Sequence, residues 1–234
     1  MLPLPGLVRR NPRHLRIQAW RARIGLGLVA SLSLLAGMTD AIGFMATGDF
    51  VSFMSGNTTR LAVAVSEGEL GLTLRLLTAI AAFVVGNALG VVIGRLSGHR
   101  ALPLMLGIAA LLCGAATLPQ SGQLLALIAA ILAMGMLNAA VEQVNGLPIG
   151  LTYVTGALSR FGRGLGRWLM GERRNGWRVQ LVPWSGMLLG AILGALLESQ
   201  FGLRALWASA LIAVILGLVS LWIPRRWQKE YMPR

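Results

Sequence analysis

Six apolar runs separated by short polar breaks set the plan of this chain: 24–48, 76–94, 101–118, 124–141, 181–197 and 205–223. Asp40 is the one charged residue within any of them. Each run is near the length that crosses a hydrocarbon core as a helix, about 20 residues. Helix is the form required there, because lipid offers the backbone no hydrogen-bond partners. The pattern predicts an all-α polytopic membrane protein with about six transmembrane helices.

Two further stretches are only half apolar. Residues 50–66 carry Ser52, Ser55, Asn57, Thr58, Thr59 and Arg60, and residues 147–166 carry Thr152, Tyr153, Thr155, Ser159, Arg160 and Arg163. Polar groups at membrane depth are tolerated where protein or a cavity surrounds them. Both stretches are therefore expected to be broken or re-entrant elements facing the interior.

The runs fall into two similar units, about 24–118 and about 124–223. Gly37-Met38-Thr39-Asp40-Ala41 answers to Gly135-Met136-Leu137-Asn138-Ala139. Ser55-Gly56-Asn57-Thr58-Thr59-Arg60 answers to Thr155-Gly156-Ala157-Leu158-Ser159-Arg160. Gly86, Gly90 and Gly94 align with Gly190, Gly194 and Glu198. Three spans per unit is an odd number, so with six spans the second unit is inverted. Inverted repeats with broken helices meeting at the midplane are the plan of many secondary transporters. If the two polar stretches cross fully, eight segments result and the repeats are parallel.

Composition supports the membrane reading. The chain has 234 residues, 56% of them hydrophobic and 12% charged. That charge is about half of what a soluble domain carries, roughly 25%. The net charge is +13, and 20 of the 21 basic residues are Arg. Such a balance on a soluble protein would suggest nucleic acid. Here the Arg residues sit at the ends of apolar runs, where the positive-inside rule accounts for them, and no nucleic-acid partner is expected. Residues 1–23 and 224–234 then form basic tails, and both termini are expected in the cytoplasm. Cys113 is the single cysteine, so no intramolecular disulfide is available.

The residues that bear chemistry are few. Asp40 is costly in a span, about 2.5–3.5 kcal/mol at its centre on insertion scales. It is an acid near the span end, or one capping a neighbouring helix, or a buried acid facing a polar cavity where it holds a proton or pairs with Arg60. Ser55 or Asn57 is expected to cap a short helix, and Gly56 permits close backbone approach. Helix N-termini of this kind suit an anion. Asn138 and Glu142 lie four residues apart on one helix face. Thr155 and Gly156 complete the candidate substrate-binding set with Asp40, Ser55, Gly56, Asn57, Thr58, Thr59 and Arg60.

The small-residue ridges Gly86–Gly90–Gly94 and Gly186–Gly190–Gly194 suit close helix packing, between the two units or in a homodimer. No span contains a His, and there is no phosphate-binding, dinucleotide or His–Glu metal pattern, so neither enzyme activity nor a cofactor or metal is expected.

Gly37-Met38-Thr39-Asp40-Ala41-Ile42-Gly43-Phe44, followed by Phe50-Val51-Ser52-Phe53-Met54-Ser55-Gly56-Asn57-Thr58-Thr59, resembles the bacterial membrane family DUF1275, also known as the YoaK family. Ser55 stands where the family usually shows Thr, and it keeps the hydroxyl. The resemblance covers nearly the whole chain from about residue 24. It implies a bacterial inner-membrane protein with about six spans and supplies no substrate.

Together these features point to a small-molecule or ion transporter with a polar site at the repeat interface. The competing expectation is a non-transporting scaffold or stress-response subunit, whose Arg-rich faces at 160–178 and 225–234 bind anionic lipid or an acidic protein.

Overall fold

The computed structural model describes residues 12–140, 143–144, 147–148, 154–173 and 176–224. Glu142, the extreme N-terminal residues and the basic C-terminal tail after residue 224 lie outside them. The described residues form eight α-helices: α1 (Pro12–Thr47), α2 (Met54–Glu67), α3 (Leu70–Leu96), α4 (Ala101–Thr117), α5 (Gln123–Asn138), α6 (Val154–Leu169), α7 (Leu181–Phe201) and α8 (Leu206–Ser220). A two-residue antiparallel pairing, Gln143–Val144 with Leu147–Pro148, lies between α5 and α6.

Helix α1 begins at Pro12, inside the basic leader rather than after it, while its apolar portion starts at Ala22. Pro at the first turn suits a helix start, since its missing N–H would have no partner there. The stretches long and apolar enough to cross a membrane are Ala22–Thr47, Leu70–Leu96 and Trp177–Ser220. The last holds both α7 and α8, broken at Gly202, whose φ of +59° ends α7. Helices α4 and α5 are apolar and shorter.

Glycine decides how the helices meet. Helix α7 lies against α1, with Gly186, Gly190 and Gly194 resting on the backbone of Ala30, Leu34 and Met38. Gly37 of α1 returns the contact against the Met187 carbonyl. Helix α3 lies against α5 in the same manner: Gly86 rests on the Leu132 carbonyl, Gly90 on Met136 and Ala139, and Gly135 faces the Phe83 carbonyl. A side chain at any of these positions would strike backbone, so the helices approach closely only because the residues are small. Gly94 is the exception, since nothing lies within 4 Å of where its Cβ would be.

Helix α4 packs on α8 and α5, and its Leu104, Met105, Ile108 and Leu112 meet Ala126, Leu127, Ala130, Ile131 and Met134 of α5 in one buried core. Large apolar side chains are also turned outward. Leu74, Val84, Val85 and Val92 on α3, Leu189, Ile192 and Leu193 on α7, and Leu211, Ile215 and Leu218 on α8 are all exposed. A soluble protein rarely shows so large an apolar exterior, whereas lipid demands it.

Candidate functional site

The polar stretch after α1 folds back along it. Gly48, at φ +77°, makes the reversal, and its N–H donates to the Phe44 carbonyl at 2.7 Å. Residues 49–53 then run down the last two turns of α1. Gly43 has no side chain to obstruct Val51, which sits against it. Phe50 stacks on Phe44 with ring centroids 4.7 Å apart and meets Phe53 edge-on at 5.2 Å.

Asp40 holds the end of this return. One carboxylate oxygen, Oδ1, accepts the backbone N–H of Val51 at 2.8 Å and of Ser52 at 2.7 Å. Asp40 is 8% exposed. It lies seven residues before the end of α1, roughly 10 Å back along the helix at 1.5 Å per residue. Helix α2 starts two residues after Ser52, beside Asp40, and climbs back toward α3.

Asp40 does not pair with Arg60. Arg60 Nη1 instead meets Asp49 Oδ1 and donates to the Gly48 carbonyl at 2.6 Å. Arg75, near the start of α3, places Nε 2.7 Å from the other Asp49 oxygen. Asp49 is fully buried, while its two Arg partners are about one-third exposed. Each Asp49 oxygen thus faces one guanidinium, and the pair of contacts ties the reversal to both α2 and α3. Two cations against one carboxylate leave this cluster with a net positive charge.

The capping expectation is also corrected. Phe53 precedes α2 and no side chain caps it. Asn57 lies inside α2, fully buried, and grips Phe50: its Nδ2 donates to the Phe50 carbonyl at 2.7 Å, and the Phe50 N–H donates to its Oδ1 at 3.2 Å. The N–H groups of Met54, Gly56 and Asn57 are occupied within the turn. The α2 N-terminus therefore offers few free donors to an anion. Gly56 is required because a Cβ there would strike the Phe53 ring.

Ser55, Thr58 and Thr59 are exposed. The hydroxyls of Thr58 and Thr59 donate back to the Met54 and Ser55 carbonyls, at 2.8 and 3.2 Å.

The second half of the chain is held differently. Asn138 is half-buried, and its Nδ2 donates to the Met134 carbonyl at 3.4 Å. Thr155 is exposed, and Gly156 lies one turn before Arg160 on α6. Arg160 Nε donates to Gln180 Oε1 at 2.8 Å. Trp177 packs on Phe161 at 5.0 Å and presses against Gly164. Asp40 thus bonds the Val51 and Ser52 backbone, and Asn138 the Met134 carbonyl.

A cavity of about 530 Å³ opens at the far end of α1, between the α4–α5 turn and the α7–α8 turn. Met45, Gln123, Glu198, Gln200 and Arg204 are among its lining residues. Its size is that of a small-molecule site, roughly 300–1,000 Å³. No group of three His, Cys, Asp or Glu residues able to hold a metal occurs among the described residues.

Sequence reasoning missed Asp49 and Arg75. Both sit at the edges of apolar runs, where charge is normally read as a topological flank. The one clue was the crowding of Asp49 and Arg60 around the polar stretch, with Gly48 marking the reversal between them and α1.

The family model described as "Protein of unknown function (DUF1275)" matches residues 28–219. A UPF0700 transmembrane protein of Rhizobium meliloti (strain 1021) is 53% identical over 217 residues, covering 92% of this chain and 95% of the relative. No solved structure matches. The chain is an integral membrane protein and belongs to the DUF1275 family.

Proposed function

We propose that this protein is a small-molecule or ion carrier of the inner membrane, built from two inverted units of three spans each. Helices α1, α3, α4, α5, α7 and α8 cross, and both termini face the cytoplasm. Helix α2 is re-entrant from the outer side, and α6 lies at the cytoplasmic side. The exchange of partners supports the repeat: α1 takes α7 and α3 takes α5, each through glycines at matched positions.

One observation carries the transport reading. The start of α2 lies at the depth of Asp40, and Ser55, Thr58 and Thr59 are exposed there. A polar helix start at that depth, entered through the irregular backbone of residues 49–53, suits a water-filled path or a protein surface better than lipid. The neighbouring cavity between the two units would form the outer mouth of such a path, for a small or anionic substrate drawn by the positive charge around Asp49.

The test is water accessibility. A Ser55→Cys protein in a Cys113→Ser background should react with a membrane-impermeant thiol reagent added outside. It should also show a ligand-induced rise in melting temperature, against a library of metabolites and ions, that Asp40→Asn reduces. If Ser55→Cys stays unlabelled while Gly68→Cys, at the α2 end, is labelled, the carrier reading fails. The scaffold reading, in which the protein works through partners, then takes its place.

A further inference from the structure

Helix α6 differs from every other helix in how it divides its surface. Val154, Ala157, Leu158, Phe161, Leu165, Trp168 and Leu169 recur at helical spacing on one side, and Ser159, Arg160, Arg163, Gly166 and Arg167 fill the rest. Only part of the apolar side meets protein. Ala157 is buried, and Phe161 and Gly164 receive Trp177. Leu158, Leu165, Trp168 and Leu169 remain exposed, Leu169 at 70%, and Met170 just beyond the helix at 86%.

The polar side carries charge without partners. Arg163 and Arg167 are exposed, and neither forms a hydrogen bond or ion pair with a described residue. Arg178 is exposed as well and lies over the Trp177 ring at 5.4 Å. A helix with exposed leucines on one side, unpaired arginines on the other and a Trp near its end has the chemistry of an interfacial helix. From residue 154 to residue 178 the sequence holds one acid, Glu172, against Arg160, Arg163, Arg167, Arg173, Arg174 and Arg178.

We infer that α6 binds anionic phospholipid: it lies in the headgroup layer, its exposed leucines enter the acyl boundary, and Arg163 and Arg167 engage lipid phosphates. The occupant is a lipid surface because the charge and the exposed apolar row stand on the same short helix. A soluble anion would satisfy only the arginines. The Arg160–Gln180 bond and the Trp177 contact connect this helix to the start of α7, so lipid binding bears directly on the helix whose glycines grip α1. The inference does not depend on transport.

The test uses the full chain in vesicles. A nitroxide is placed through Gly162→Cys in a Cys113→Ser background, since position 162 faces open space. Its accessibility to oxygen and to a water-soluble nickel chelate is compared in phosphatidylcholine with and without phosphatidylglycerol. Phosphatidylglycerol should favour the immersed position by roughly 25-fold, taking about fivefold for each Arg near an anionic surface. Arg163→Gln/Arg167→Gln should return the label to its phosphatidylcholine position with an unchanged melting temperature. Arg163→Lys/Arg167→Lys should keep the lipid response.

Equal accessibility in both lipids overturns the inference, whether the label is immersed or not. So does a response reproduced by inorganic phosphate added to phosphatidylcholine vesicles, which would make this a soluble-anion site.

Discussion

Helices α2 and α6 each hold one of the two polar stretches of the chain, yet they are fastened by different physics. The approach to α2 is held by charge: Asp40 gathers two backbone N–H groups, and fully buried Asp49 takes Arg60 and Arg75. Helix α6 is held by shape, with Trp177 against Phe161 and Gly164, and by one polar contact from Arg160 to Gln180. Ionic fastening of buried groups fixes direction and register, because each donor needs its acceptor in place. Aromatic packing tolerates more adjustment. The first half therefore contains a rigid return, and the second a helix free to present much of its surface outward.

Substitutions at Asp40, Asp49 and Trp177 separate the two modes, each read as thermal or denaturant unfolding in detergent micelles. Asp40→Ala should be the most damaging, at about 3 kcal/mol, since two buried N–H groups lose their acceptor. Asp40→Asn keeps a carbonyl oxygen there and should recover more than half of that loss. If Asn and Ala are equally damaging, charge rather than acceptor geometry holds the return.

Asp49→Ala should follow at about 2 kcal/mol. That is below the ~3–5 kcal/mol typical of a broken buried pair, because the partly exposed arginines can regain water. A double change, Asp49→Ala with Arg75→Ala, should cost less than the sum of the two single changes.

Trp177→Ala should release α6 with a smaller effect on global unfolding, about 1–2 kcal/mol for removing one ring of an aromatic pair at a half-buried site. Proteolysis after Arg163 and Arg167 should accelerate while the melting temperature shifts little. A large melting shift would show that α6 is as integral as α2.

Two ridge glycines should give effects of opposite sign. Gly194→Ala puts a methyl group into the Met38 backbone and should destabilise by about 1–3 kcal/mol. Gly94→Ala enters open space near the end of α3 and should stabilise by roughly 0.5–1 kcal/mol through helix propensity. Opposite signs at these two positions would confirm that the ridges differ in what they touch.

Much of the architecture is legible from residue order. The lengths of the apolar runs locate α1, α3, α4, α5, α7 and α8, because each is an unbroken apolar segment bounded by polar residues. The polar stretches locate α2 and α6, and the Gly-x3-Gly spacing identifies helices that pack closely. Gly86, Gly90, Gly186, Gly190 and Gly194 do so within the chain. The candidate site is less legible. Asp40 is conspicuous as a lone acid, and Asn57 as a polar residue in an apolar setting, but neither residue names its partner. Ser55 and Asn57 have the right composition for a cap; the chain's reversal at Gly48 instead turns Asn57 inward to Phe50.

Residue order thus dictated membrane embedding, helix positions and the presence of two polar interruptions, since hydropathy and periodicity are local properties that each segment carries alone. The packed chain settled which polar groups meet. Asp40 took Val51 and Ser52 rather than Arg60, and Asp49 took Arg60 and Arg75 across 11 and 26 residues. A carboxylate in a low-dielectric interior accepts whichever donors the backbone brings within 3 Å, and that choice depends on where the chain turns.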